Sequence, residues 1–105
     1  MNNLQQLMQM GQQLQTRMTN LQENLGSQKI TASSGGGMVS ATVDGKGEVK
    51  EVRIDPTCVD KDDVEMLEDL VVAAVSQAQT KARLVYEEEM KKATGGLPMQ
   101  IPGVL

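Results

Sequence analysis

Between Asp60 and the Gly95-Gly96 pair the chain carries one unbroken helical pattern. Asp60 suits the N-cap, and Asp62, Asp63 and Glu65 crowd the positive end of a helix dipole. Lys91 and Lys92 stand at the negative end, and the glycine pair stops the helix. A helix from about Lys61 to Ala93 is on the order of 50 Å long at ~1.5 Å per residue. That is more than a domain of 105 residues can cover. Leu70 to Val75 is apolar all round, so this stretch is expected to be buried on several sides. Ala74, Ala78 and Ala82 make a narrow stripe for close packing, and beyond Tyr86 the helix is mostly charged.

The other elements are shorter. Leu4, Leu7, Gly11, Leu14, Met18, Leu21 and Leu25 alternate at spacings of three and four, which predicts a first helix from Asn2 to about Leu25. Its other face is Gln, Asn and Thr, with Arg17 and Glu23 as charges, and Gly26 is the expected stop. Gly11 lies on the apolar seam, where a missing side chain lets another backbone come close. Ile30, Ala32 and Ser34 then alternate with polar residues, Gly35-Gly36-Gly37 interrupts, and Val39, Ala41 and Val43 alternate again. Asp44-Gly45-Lys46-Gly47 reads as a hairpin turn whose glycines supply positive φ. Val52 and Ile54 share a face of a third strand, while Val49 is out of phase, predicting a bulge near Glu48–Lys50. The fold class is therefore α+β: a helix, a three-stranded antiparallel meander and a long C-terminal helix. Residues 1–94 form one domain, and residues 95–105 are a flexible Gly/Pro tail that docks at most loosely.

A small sheet, a heptad seam and an over-long helix leave apolar surface that one copy cannot cover, which predicts a homodimer. Leu7, Gly11, Leu14, Met38, Val39, Val43, Leu70 and Ala74 are the expected core and interface positions. There is no Phe or Trp, and Tyr86 is the single aromatic, so the core rests on aliphatic residues and eight methionines, which adapt to irregular surfaces.

Several stretches together resemble the YbaB/EbfC nucleoid-associated DNA-binding family. They are the Gln- and Met-rich first helix, SSGGGMVSATVDGKGEVKEVRIDP (Ser33 to Pro56), DDVEMLEDLVVAAVSQAQTKA (Asp62 to Ala82) and the tail GGLPMQIPG. The similarity spans essentially the whole chain in order. It implies a tweezer-like homodimer that binds duplex DNA with little sequence preference and alters its conformation. Roles in nucleoid organisation, gene regulation and DNA protection or repair follow from the same resemblance.

The residues themselves bear on this unevenly. The formal net charge of −4 opposes long-range attraction to nucleic acid, so only a local basic surface could bind it. Arg17 on the first helix and Lys81, Arg83, Lys91 and Lys92 on the long one are the candidates for phosphate contact. Lys29, Lys46, Lys50 and Arg53, in the sheet region, rank lower. One aromatic residue is too few for base stacking, and the chain has no helix-turn-helix or zinc motif, so duplex backbone and shape are the expected targets.

Catalysis is not expected. The chain has no His, and its one cysteine, Cys58, reads as a buried, inert thiol. The triple glycine lies between strands, unlike a phosphate loop, and the acids from Asp60 to Asp69 lack the glycine and terminal glutamate of a calcium loop. No cofactor, metal or small-molecule substrate is predicted. The first residues, MNNLQQLMQMGQQLQ, read as neither signal peptide nor membrane anchor, which predicts a cytoplasmic, nucleoid location without membrane contact. The alternative is a protein-interaction adapter that holds a helical partner through its Met-rich apolar surface.

Overall fold

The computed structural model describes residues 2–93. In chain order they form α1 (Asn2–Ser27), β1 (Ile30–Ser34), β2 (Val39–Val43), β3 (Val49–Ile54) and α2 (Val64–Ala93). Short 3-10 turns occupy Gly35–Gly37 and Pro56–Cys58. The architecture is the expected helix, three-stranded antiparallel sheet in the order β1-β2-β3, and long helix. The expected tail and the Gly95-Gly96 stop lie outside the described residues.

Alternation along the strands sorts the sheet into two faces. Ala32, Val39, Ala41 and Val43 are buried on one. Thr31, Ser33, Ser40 and Thr42 point to the other, where Thr31 and Thr42 hydroxyls meet at 2.9 Å across the β1–β2 register. The predicted bulge is present. Thr42 pairs with Glu51 but Val43 pairs with Val49, which leaves Lys50 as the extra residue. The bulge returns Val49 to the face of Val52 and Ile54.

α2 crosses the apolar face. Ala74, Ala78 and Ala82 are fully buried, and their small side chains let the helix lie close on β1 and β2. Leu67, Leu70, Val71 and Val75 flank the stripe, with Met38 and Ile30 packed from the sheet side. Gly35 has φ 59°, and a Cβ there would stand 2.8 Å from Leu70 Cδ2, so the triple-glycine turn is held tightly against α2. Beside it the Ser34 hydroxyl donates to the Leu70 carbonyl at 2.6 Å. α2 scarcely reaches β3, and Val49, Val52 and Ile54 are each about 40% exposed.

Three expectations need correction. α2 starts at Val64, because Asp60 is spent on a separate turn. Its Oδ1 accepts from Asp62 N at 2.9 Å and its carbonyl from Asp63 N at 3.0 Å. Asp63 is the cap instead, accepting from Met66 N at 3.2 Å. Second, α1 continues through Gly26 to Ser27. Third, Leu70 to Val75 is not enclosed in one chain: Val72 is 63% exposed, because only the Ala74 side of the helix has a sheet to rest on.

Candidate nucleic-acid interface

The site begins with how α1 and α2 are joined. Gly45 N donates to Leu25 O at 2.7 Å, and a Cβ on Gly45 would lie 2.8 Å from that oxygen. Gly45 is therefore required for close approach, whereas Gly47, with φ 89°, supplies the positive φ of the turn. Asp44 stabilises the same turn: its Oδ1 accepts from Lys46 N at 2.9 Å and Glu48 N at 3.0 Å. Asp44 is buried. Burial raises its pKa, but the two amide bonds and the nearby Lys50 and Lys46 charges outweigh this and hold the carboxyl below its ordinary 3.8.

From this junction α1 and α2 run antiparallel as one arm. Leu25 sits at the β2–β3 turn, while Arg17, Asn20, Leu21 and Asn24 line a groove with Glu89, Lys92 and Ala93. Seam residues Leu21 and Leu25 are buried against this assembly. α1 then continues past the last described turn of α2, and Leu4, Leu7 and Leu14 are 51–66% exposed. Gly11 has open space where a Cβ would stand, so nothing among the described residues uses its seam position. Of the expected packing positions, Val39, Val43 and Ala74 lie in the core of a single chain, with Met38 and Leu70 at its margin. Leu7, Gly11 and Leu14 do not.

The basic residues fall into separate places rather than along one stripe. Arg17 and Lys92 face the same arm groove, where Glu89 Oε1 lies 3.7 Å from Lys92 Nζ. Lys81 Nζ donates to Thr31 O at 3.2 Å, which turns it toward the β1 edge. Arg83, two residues on and so about 200° round the helix, lies on the opposite flank. There it lines a concavity with Gly45, Lys46, Gly47, Gln79 and Tyr86. Gln79 Nε2 supports that wall by donating to Gly47 O at 3.0 Å. Lys91 is exposed near the end of α2.

Lys46 is more prominent than its sequence position suggested. Its Cε and Nζ reach within 3.8 Å of the place a Gly26 Cβ would take, over the negative end of the α1 dipole. No periodicity reports this, because the turn meets the helix only through the tertiary fold. Lys50 and Arg53, by contrast, are paired: Lys50 with Glu48 at 3.2 Å and Asp44 at 3.8 Å, and Arg53 with Glu51. Arg17, Lys46 and Arg83 form no ion pair among the described residues. The described residues thus present cations outside any ion pair both at the arm groove and at the concavity beside the β2–β3 turn, despite the net negative charge.

Cys58 is buried, and among the described residues no group of acidic, Cys or His side chains is placed to hold a metal ion. No helix in the described residues is long and apolar enough to cross a membrane.

The family model of the YbaB/EbfC DNA-binding family matches residues 1–97. The chain belongs to that family. YbaB/EbfC relatives include a nucleoid-associated protein of Clostridium acetobutylicum, 46% identical over 102 residues, covering 97% of this chain and 89% of the relative. Another, from Paramagnetospirillum magneticum, is 48% identical and covers 92% of this chain and 91% of its own. A third, from Rhodospirillum rubrum, is 42% identical over 99% of this chain and 96% of the relative. Among solved structures, an uncharacterized protein from Helicobacter pylori matches with a TM-score of 0.70 at 26% identity, covering 90% of this chain and 96% of that one. The YbaB/EbfC resemblance read from the sequence is thus a family relationship over nearly the full length.

Proposed function

We propose that this YbaB/EbfC protein is a non-enzymatic, nucleoid-associated protein that binds duplex DNA as a homodimer with little sequence specificity. In this reading it works in the cytoplasm, at the nucleoid, and alters DNA conformation. The observation that carries the binding is the set of unpaired cations on the arm, Arg17 on one flank and Arg83 with Lys46 on the other. Family membership, and the nucleoid-associated names of its relatives, point the same way. Phosphate contacts of this kind position a protein on DNA without reading bases. Lys91 and Lys92 extend the cationic surface toward the end of α2.

The homodimer rests on β3. Val49, Val52 and Ile54 form an apolar row that α2 leaves bare, on a strand at the sheet edge. A second copy covering this row would bury it and double the cations by symmetry. Met38 and Val72 are further positions at which the two copies could pack.

The test is titration of labelled duplex DNA at 50 and 200 mM salt. Neutralising several phosphates predicts a log–log slope of about −0.9 per phosphate. Affinity that ignores salt, or no shift of DNA at low salt, refutes the reading. The adapter reading draws on the bare Leu4, Leu7 and Leu14 seam and the acidic balance. Recovery of one stoichiometric protein from nuclease-treated lysate, with no DNA shift, would favour it.

A further inference from the structure

α1 carries an apolar face that has no neighbour among the described residues. Leu4, Leu7, Met8, Met10 and Leu14 are all more than half exposed, on an arc that continues the buried Leu21 and Leu25. We propose that a second copy of this chain covers this face, its own α1 lying antiparallel over residues 4–14. The contact is separate from the bare row on β3, and it ties pairs of chains into larger assemblies.

Charge is the first reason for choosing a second copy. Residues 3–16 contain no charged side chain, so two identical faces meet without like-charge repulsion and without ions to desolvate. In the heptad pattern Leu4 and Gly11 take the a positions, and Leu7 and Leu14 the d positions. The flanking e and g places, where charges ordinarily select the partner, hold Met8 and Met10. A foreign helix would find no charge here to select it, whereas flexible thioethers adapt readily to a copy of themselves.

Register is the second. An antiparallel pair sets a positions opposite d positions, so Leu4 faces the partner's Leu14 and Leu7 faces the partner's Gly11. The two-fold axis repeats both contacts. This overlap uses residues 4–14 alone. It stops short of Arg17, where α2 already lies along α1 with Glu89, Lys92 and Ala93. A longer overlap would need Leu21, which is buried within its own chain. A parallel pair would crowd both sheets at one end of the contact, while the antiparallel pair sends them to opposite ends.

Gly11 is the third. A Cβ there would meet nothing within 4 Å, so packing among the described residues does not call for the missing side chain. Opposite the partner's Leu7 it makes room for a large side chain between two close backbones. About three helical turns from each copy bury less than the ~1,200 Å² of a stable complex, so the pairing is weak and shows at high concentration.

Sedimentation at about 10 and about 500 μM tests this by mass action. The parent should pass from two chains to larger species as concentration rises. The double variant Leu7→Gln, Leu14→Gln alters only exposed side chains and should stay at two chains throughout. Val52→Asp, without the β3 contact, should pass from one chain to two and so reports the arm contact by itself. Were the β3 contact absent from the parent, the parent would make that same passage and the glutamine variant would still block it, so the two readings fail separately. No growth of the parent, or equal growth of the glutamine variant, overturns the proposal. Register is read by oxidation: Leu4→Cys mixed with Leu14→Cys should cross-link at least ~10-fold faster than either variant alone. Cys58 is buried and does not compete. Faster joining of Leu4→Cys to itself overturns the antiparallel arrangement. Protection of amides 4–14 from hydrogen exchange that ignores concentration overturns the second copy as the cover.

Discussion

Gly45 and Leu25 meet backbone to backbone: the Gly45 amide donates to the Leu25 carbonyl at 2.7 Å, fixing the end of the first helix to the second hairpin turn. A Cβ at Gly45 would stand 2.8 Å from that oxygen and 3.0 Å from Leu25 Cα. Backbone atoms cannot step aside as a flexible side-chain tip can. Gly45→Ala should therefore destabilise the protein by about 1–3 kcal/mol, the usual cost of overpacking. Urea unfolding measures this, and a variant as stable as the parent would contradict the packing.

Asp44 makes the same junction sensitive to acid. Its folded-state pKa lies below the ordinary 3.8, so its contribution is fully present above the unfolded value. That contribution is lost as pH falls through the folded value. Asp44→Asn keeps a side-chain acceptor but no titrating charge. The stability gap between parent and Asp44→Asn should be widest near neutrality and should close below pH ~3.8. A gap that stays constant from pH 7 to pH 3 removes Asp44 as the cause.

Binding should depend on both flanks of the arm. Arg17→Glu and Arg83→Glu should each weaken affinity for unrelated duplex sequences by similar factors, and each should lower the salt slope by about 0.9. Lys46→Glu should act with Arg83→Glu, since both line one concavity. Lys50→Glu should matter less, because that ammonium already faces Glu48 and Asp44. A larger loss from Lys50→Glu than from Arg83→Glu would move the contact surface to the sheet.

Self-association should fail when β3 is made polar. Val52→Asp places a carboxylate in the bare row beside Val49 and Ile54, and burying an unpaired charge is costly. Sedimentation should show the parent as two chains and the variant as one, with association weakened at least ~10-fold. A variant that remains two chains at micromolar concentration would place the interface elsewhere.

The sequence carried the elements clearly because their periods are simple. Val39, Ala41 and Val43 alternate, Ala74, Ala78 and Ala82 recur every four residues, and Val49 breaks phase where Lys50 bulges. What it concealed arises from contacts between elements. Gly45 and Gly47 look alike in the turn, yet one serves a close approach and the other a positive φ. Lys46 gains its place beside Arg83 only when the turn and α2 come together. Lys81 and Arg83 are near neighbours in the chain and stand on opposite flanks of the helix, so a basic cluster in sequence is not a basic patch in space. Asp60 reads as the cap in the sequence, but it is taken up by a turn of its own and the cap is Asp63.

The hydroxyl lining of the sheet's outer side has an effect on how many copies can gather. Thr31 and Thr42 satisfy each other there, and Ser33 and Ser40 are wetted rather than greasy. In the proposed dimer, a pair of chains joined through the valine side of β3 would offer a third copy no second apolar sheet face to stack on, because the outward face is lined by hydroxyls.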